Sequence, residues 1–193
     1  AQAGHEEDIR PCIGYLRCLN GIMFGKRVAC TVNPSLEPEN EDTITPAKET
    51  KNILVIGGGP AGMEAAYVAA KRGHHVVLAD RQDSLGGTVR IAAVPIAKQD
   101  LTQLIKYQAH KLEQAGVKVL LNTEVTLETI QKDYPDYEVI LCAGATPVVP
   151  QFMTQFKDWM TADDVLYGRK FPGRKIVVIG GGSVGCETAD YLA

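Results

Sequence analysis

The sequence contains no hydrophobic run long enough to cross a lipid bilayer. Its longest largely apolar stretch, Val139–Pro150, is shorter than the roughly 20 residues that a membrane-spanning helix needs. The first residues, Ala1–Asp8, include three acids, whereas a secretion signal begins with basic residues followed by an apolar segment. We therefore expect no membrane partner, and we interpret the protein as cytoplasmic.

The sequence also lacks a strong excess of charge. It has 20 Lys and Arg against 23 Asp and Glu, for a formal net charge of -3, and its basic residues are scattered along the chain. Proteins that bind nucleic acids or anionic membranes concentrate their basic residues in a patch, so we expect no nucleic-acid partner. With 193 residues and 45% hydrophobic content, the chain has room for one globular domain and parts of another.

The number and distribution of the cysteines argue against a disulfide framework. There are five cysteines, an odd number, and Cys12, Cys18 and Cys30 are grouped near the N-terminus. That grouping favours thiolate ligands in a reducing compartment, because short loops with soft sulfur ligands bind iron–sulfur clusters or zinc. Such sites normally use four ligands. Three ordinary buried thiols are therefore the alternative interpretation.

The best-defined motif is a glycine turn that follows an apolar segment, Ile53–Ile56, and precedes an Ala-rich helix. Gly57, Gly59 and Gly62 have the spacing G-x-G-x-x-G. In this motif the first glycine permits a tight turn, the second allows close approach to phosphate, and the third lets the helix pack on its strand. The helix N-terminus then faces the anion. The segment therefore predicts a dinucleotide pyrophosphate site.

Two features after this turn support the same interpretation. Asp80 ends the next apolar strand, at the position where an acid accepts hydrogen bonds from an adenosine ribose. The alternative is that Asp80 only caps the strand end. Gly86 and Gly87 follow, and they permit close backbone approach to a second part of the same ligand, although a plain turn is also consistent with them.

The remaining pattern alternates strands and helices, which predicts an α/β fold with a Rossmann-like parallel sheet and flanking helices. Gly73 and Gly116 are expected to end two helices, while Asp100 and Thr161 are expected to cap the starts of two others. Cys142, at the end of an apolar strand, is interpreted as a buried thiol. The predicted elements are strands at 53–56, 75–80, 117–121 and 137–142 and helices at 62–72, 100–115, 126–131 and 162–166.

The opening motif then recurs near the end of the sequence. Lys175–Ile179 are followed by Gly180, Gly182 and Gly185 in the same spacing, which predicts a second strand, turn and helix. The sequence ends before a strand that could carry a ribose acid, and residues 1–30 do not resemble the start of a domain. We therefore expect a fragment. The predicted organisation is a Cys-rich loop that ends a missing N-terminal domain at 1–34, a linker at 35–51, a nucleotide-binding domain at 52–150, a connector at 151–174 and the truncated second unit at 175–193.

The chain has two dinucleotide turns, and the second follows Cys-Ala-Gly-Ala-Thr-Pro at 142–147. In this it resembles the flavoproteins that have two dinucleotide-binding domains. The Cys-rich segment narrows the resemblance, because it runs from Ile-Arg-Pro-Cys-Ile-Gly at 9–14 to Cys-Thr-Val-Asn-Pro at 30–34. Over essentially its whole length the chain resembles the C-terminal part of the NADH:flavin oxidoreductase group, which includes 2,4-dienoyl-CoA reductase, enoate reductases and trimethylamine dehydrogenase.

In that family an N-terminal barrel carries FMN and the small-molecule substrate, and a four-cysteine loop binds a 4Fe–4S cluster. The resemblance implies that Cys12, Cys18 and Cys30 are three of the ligands. Tyr15 stands where the second cysteine belongs. The implied alternatives are a site with a non-cysteine ligand, a three-iron cluster, or a lost cluster on a retained loop.

The same resemblance implies two nucleotide sites. The residues implied for FAD are Gly57, Gly59, Pro60, Ala61, Gly62, Asp80, Arg81, Gly86, Gly87, Thr88, Val125, Ala143 and Gly144. Ala143 replaces the threonine that is usual there. The residues implied for NAD(P)H are Gly180, Gly182, Ser183, Val184 and Gly185.

The implied function is electron input to an ene-reductase. FAD would accept a hydride from NAD(P)H and release electrons singly through the iron–sulfur centre to FMN, which reduces an activated C=C bond of an enoate or 2,4-dienoyl-CoA. No catalytic acid or base is expected within these residues, and the sequence does not indicate the oligomeric state. The alternative is a structural module that holds ADP, as in an amine-dehydrogenase-like protein, with a zinc or degenerate cysteine loop.

Overall fold

The computed structural model describes residues 4–36 and 44–193, so residues 37–43 of the predicted linker lie outside the described part. Short 3-10 turns occur at Glu6–Asp8, Pro34–Leu36 and Gln151–Gln155. The strands are β1 Asn52–Ile56, β2 His75–Ala79, β3 Lys118–Leu120 and β4 Tyr137–Leu141. The helices are α1 Arg17–Met23, α2 Pro60–Lys71, α3 Thr88–Ala92, α4 Leu101–Gln114, α5 Leu127–Asp133, α6 Ala162–Leu166 and α7 Ser183–Leu192.

The strands form one parallel sheet in the order β3-β2-β1-β4. The central strand, β1, pairs with β2 from Asn52↔His75 to Ile56↔Ala79, and on its other side with β4 up to Ile56↔Leu141. Parallel neighbours need crossover connections, which the intervening helices supply. The predicted α/β fold is confirmed. The carboxyl ends of β1, β2 and β4 consequently lie together at one edge of the sheet.

The hydrophobic core lies on both faces of β1, because alternate residues of a strand point to opposite sides. Val55 faces the larger cluster, where Met63 and Ala66 of α2 cover the sheet. Leu54 faces a second cluster that includes Val77 of β2. Leu54 and Val55 have no exposed surface, so the middle of β1 is buried on both faces of the sheet.

The ends of the helices follow the sequence signals with one exception. Gly73 and Gly116 have φ of +92° and +69°, the left-handed conformation expected after a helix. Thr161 accepts a hydrogen bond from the Asp164 N–H at 3.1 Å and caps α6. The cap predicted at Asp100 is wrong. Its backbone is already helical, with φ -59° and ψ -24°, and its side chain makes no cap hydrogen bond, since a capping side chain needs an extended backbone to reach the helix.

The second glycine segment forms its turn and helix but not its strand. Lys175–Ile179 have no strand assignment, and Val177 and Ile179 are 87% and 58% exposed. A strand needs a neighbour for its backbone groups, and the described residues place none beside this segment. Within those residues, no helix combines the length and apolar character needed to cross a bilayer.

Candidate functional site

The first glycine turn, between β1 and α2, has the backbone that a close phosphate contact requires. Gly57 has φ +110°, and its N–H donates to the Ala79 carbonyl at 2.8 Å, which fixes the turn to β2. A Cβ at Gly57 would overlap the carbonyl oxygen of Cys142, and a Cβ at Gly62 would overlap that of Gly57. Both positions therefore exclude side chains. The turn lies at the carboxyl edge of the sheet, where open α/β folds bind ligands.

The N-terminus of α2 is open toward this turn. Gly59 is the N-cap, with no side-chain cap hydrogen bond, and Pro60 occupies the first turn of the helix. The N–H groups of Ala61 and Gly62 have no partner within the helix, because the first turn lacks preceding carbonyls. A Cβ at Gly59 would meet the Cα of Gly87 at 3.9 Å, an ordinary van der Waals contact, so Gly87 lies directly beside the turn. The geometry fits the pyrophosphate of a dinucleotide.

Asp80 follows β2 and holds the turn from the side. Its Oδ2 accepts a hydrogen bond from the Gly58 N–H at 2.5 Å, and its Oδ1 accepts one from the Gln82 N–H at 2.7 Å. The side chain is buried, with 9% of the residue exposed. Each carboxylate oxygen can accept more than one hydrogen bond. Asp80 therefore holds the glycine turn in place, and its carboxylate oxygens can still accept a hydrogen bond from a hydroxyl of a ligand.

The Gly86–Gly87 pair packs directly on the first turn. The Gly86 N–H donates to the Gly58 carbonyl at 2.8 Å, and Gly86 and Gly87 have φ of +114° and +50°. A Cβ at Gly87 would lie 3.0 Å from the Cα of Gly59. The structure therefore brings the two predicted glycine segments together. Arg81 and Thr88, also predicted for FAD, are exposed nearby in sequence.

The last part of the predicted FAD site follows β4. The Cys142 N–H donates to the Ile56 carbonyl at 2.7 Å, which places the end of β4 beside the turn. Ala143 and Gly144 are exposed, and Gly144 has φ +70°. Val125 is half-buried and packs against the second core cluster. Cys142 is half-buried rather than fully buried, and it packs against the larger cluster.

The second glycine turn repeats the backbone of the first. Gly180 has φ +113°, close to the value at Gly57, and Gly182 caps α7 with φ -78° and ψ 179°. A Cβ at Gly185 would overlap the Gly180 carbonyl oxygen. Ser183 and Val184, in the first turn of α7, are exposed. Among the described residues, nothing lies within 4 Å of a Cβ at Gly180, Gly181 or Gly182, so this turn has the shape of the motif without neighbours that hold it in place.

The cysteine loop does not form a metal site in the described residues. Cys12 and Cys18 are exposed and Cys30 is half-buried, and the described part of the chain contains no group of three or more His, Cys, Asp or Glu residues placed to hold a metal. Tyr15, at the position of the missing ligand, is 69% exposed. The described residues therefore do not gather the three predicted ligands into one group, and three thiols are one fewer than a four-thiolate cluster takes.

Two residues that the sequence did not single out contribute to this site. Gly58 is buried and donates to Asp80, and its only sequence signal is the unbroken Gly57–Gly59 run. Gln108 of α4 is buried, and its amide donates to the Pro60 carbonyl at 3.2 Å. No local pattern indicates Gln108, because the contact joins distant segments of the chain.

This geometry agrees with comparison to known proteins. Residues 51–193 match the family described as pyridine nucleotide-disulphide oxidoreductase, and the chain belongs to that family. Among its relatives, the cinnamate reductase of Clostridium sporogenes is 39% identical over 96% of this chain and 28% of its own length. The NADH oxidase of Thermoanaerobacter brockii is 41% identical over 100% of this chain and 31% of its own length.

A solved structure shows the same architecture. The 2-naphthoyl-CoA reductase in complex with 2-naphthoyl-CoA superposes with a TM-score of 0.92 at 33% identity, covering 99% of this chain and 29% of that protein. The chain therefore spans about 30% of the length of the relatives it matches. The family supports binding of FAD and NAD(P)H and makes the chain part of an oxidoreductase.

Proposed function

We propose that this chain is the electron-input part of an FAD-dependent and NAD(P)H-dependent oxidoreductase. The observation that carries the proposal is the first glycine turn, which leads into a helix with no side-chain cap at Gly59 and is held by hydrogen bonds to Asp80 and Gly86. The second turn has matching backbone angles and is proposed to bind NAD(P)H through Gly180, Gly182, Ser183, Val184 and Gly185. The first is proposed to bind FAD through Gly57, Gly59, Pro60, Ala61, Gly62, Asp80, Arg81, Gly86, Gly87, Thr88, Val125, Ala143 and Gly144.

The residues of the chain position and neutralise the nucleotide. The free N–H groups at the start of α2 donate to the pyrophosphate, and the helix dipole stabilises its charge. Asp80 accepts from the ribose hydroxyls while holding the Gly58 N–H. FAD supplies the ability to accept a hydride and pass electrons on singly. The chain contributes binding and orientation to that chemistry, and we assign it no catalytic acid or base.

We further propose that the complete protein is cytoplasmic and reduces an activated C=C bond of a small-molecule substrate at an FMN-carrying barrel outside this chain. The relatives named cinnamate reductase and 2-naphthoyl-CoA reductase support this class of reaction. Cys12, Cys18 and Cys30 supply three thiols, one fewer than a four-thiolate 4Fe–4S cluster takes. The electron route beyond FAD is therefore not assigned to Cys12, Cys18 or Cys30.

A second candidate function is a structural nucleotide-binding module that holds ADP beside a degenerate cysteine loop. The separated thiols and the exposed Tyr15 favour it, as does the 27% identity to a dimethylamine dehydrogenase of Hyphomicrobium. The two candidates differ in the bound group. FAD absorbs visible light and loses that absorbance when a hydride donor reduces it, whereas ADP does not absorb visible light.

The test is to purify the full-length protein that contains this chain without oxygen, extract its nucleotides, and assay iron and sulfide. We expect FAD and FMN, and we expect NAD(P)H to bleach the flavin absorbance. Gly62→Ala should weaken FAD binding at least about tenfold, because the added Cβ overlaps the Gly57 carbonyl. Gly173→Ala is the matched control, since nothing lies within 4 Å of its Cβ position. Recovery of ADP without flavin would overturn the proposal in favour of the structural module.

A further inference from the structure

A single side chain, Arg10, joins the two ends of the cysteine loop. Its Nη1 donates to the Val32 carbonyl at 2.8 Å and to the Asn33 Oδ1 at 3.0 Å. Arg10 lies just before Cys12, and Val32 lies just after Cys30. The guanidinium therefore links the start of the loop to its end, a role that metal ligation would otherwise perform.

The same guanidinium docks the loop on α4. Its Nε donates to the Tyr107 hydroxyl at 3.3 Å, and its centre lies 5.4 Å from the centroid of the Tyr107 ring, within cation–π range. Lys111 lies 5.6 Å from the same centroid. Arginine suits this position, because its planar fork can donate in several fixed directions while it stacks on a ring.

The contact continues toward the first glycine turn. Gln108, next to Tyr107 in α4, is buried and donates to the Pro60 carbonyl at 3.2 Å. Arg10, Tyr107 and Gln108 lie together beside α2, near Met63 and Tyr67. The loop is thus attached to the helix that supports the start of α2.

We propose that Arg10 is a positioning residue that closes the cysteine loop and fixes it on α4, so that its guanidinium, rather than a bound metal, sets the positions of Cys12 and Cys30. The proposal rests on the contacts of Arg10 and on the separation of the thiols in the described residues. It is independent of whether the glycine turns bind FAD and NAD(P)H.

The test measures how fast each thiol of the full-length protein reacts with N-ethylmaleimide, resolved by mass spectrometry, before and after treatment with an iron and zinc chelator. In Arg10→Ala the half-buried Cys30 should react at least about fivefold faster, since local opening exposes a thiol. The increase should persist after chelation. Cys186, which lies in α7 and is already exposed, is the internal standard and should stay within about twofold.

Further variants separate positioning from general destabilisation. Arg10→Lys should restore part of the protection, because an ammonium can stack on Tyr107 but cannot keep all the directional bonds. Lys106→Ala, an exposed cation next to Tyr107, is the matched control and should leave Cys30 unchanged. Hydrogen exchange should rise in 28–36 and 101–114 while the core strands stay protected. If Arg10→Ala does not fold, Asn33→Ala, which removes one acceptor, must show the same selective effect on Cys30.

Two results would overturn the proposal. One is an unchanged Cys30 rate and unchanged hydrogen exchange in the Arg10 and Asn33 variants. The other is a wild-type protein in which chelation alone opens the loop as far as Arg10→Ala does. Flavin content is measured in the same samples. A loss of FAD binding is therefore distinguished from a change in the reactivity of Cys30.

Discussion

Asp80 lies at the end of β2 with both carboxylate oxygens bound to backbone N–H groups. The sequence offered two roles for it, a ribose acceptor and a cap for the strand end. The structure adds a third role, because the bond to Gly58 ties Asp80 to the glycine turn itself. The ribose contact remains a prediction. Because the Gly58 N–H donates to Asp80, we expect the conformation of the turn to depend on Gly58.

Gly58→Ala should weaken FAD binding by about tenfold, or roughly 1.4 kcal/mol. The added Cβ would lie 2.7 Å from Leu85 Cδ2 and 3.0 Å from Asp80 Oδ2. Leu85 can move its flexible tip, but Asp80 is held by two backbone donors. A titration of the flavin-free protein with FAD, followed by flavin fluorescence, measures the change.

Gly181→Ala is the control for this prediction, because Gly181 has the same place in the second turn and nothing within 4 Å of its Cβ position. FAD affinity should be unaffected by it. Equal losses in the two variants would show that the Asp80 brace does not support the site.

At the scale of elements, the 3-10 turn Glu6–Asp8 docks on α4. The Asp8 Oδ1 accepts from Gln114 Nε2 at 2.6 Å and lies 3.1 Å from His110 Nε2 and 3.6 Å from Lys111 Nζ. The Gln114 hydrogen bond, together with His110 and Lys111, holds the pKa of Asp8 below its ordinary value. Besides these groups, the charged neighbours on its own turn are Glu6 and Glu7.

This docking should depend on pH in one direction. Because the docked Asp8 has the lowered pKa, the contact is fully favourable above the ordinary carboxyl pKa and is lost as the pH falls through and below about 4. NMR spectra recorded across this pH range measure the loss of the contact, through the chemical shifts of the Asp8 carboxyl carbon and of the amides of residues 101–114. Asp8→Asn should remove the pH dependence near 4. Docking that is unchanged through this range would contradict the prediction.

The second glycine turn forms although the segment before it does not form a strand. Gly180, Gly182 and Gly185 adopt the backbone of the first turn, because the conformation of a turn depends on a few adjacent residues. Lys175–Ile179 do not form a strand, because a strand needs pairing from another segment. Helix α7 still packs against the described part of the chain, where Glu187 forms an ion pair with Lys98.

At the scale of the whole molecule, stability should depend strongly on the buried residues of the central strands, such as Leu54 of β1. Leu54→Ala should lower the free energy of unfolding by about 2–5 kcal/mol, since Leu54 is 0% exposed. Val139 is its register partner on β4 and is 42% exposed. Val139→Ala should cost less than about 1 kcal/mol. Urea unfolding followed by circular dichroism measures both, and equal costs would contradict the conclusion that Leu54 lies in the core and Val139 does not.

The sequence by itself determined the α/β class, most strand and helix positions and both glycine turns, because periodic burial and glycine conformations are local properties of the chain. It also indicated the Thr161 cap, and it was wrong about the Asp100 cap, where the backbone was already helical. Motif spacing alone predicted that Gly57, Gly62 and the Gly86–Gly87 pair belong to the nucleotide site.

Only the tertiary structure decided how these pieces meet. The hydrogen bond from Gly58 to Asp80 and the contact of Arg10 with Tyr107 join residues that are far apart in the sequence. Such contacts are chosen by packing of whole elements, which no local pattern encodes. The same dependence explains why the second glycine segment keeps its turn and loses its strand, since the turn is closed by its own residues and the strand requires a partner.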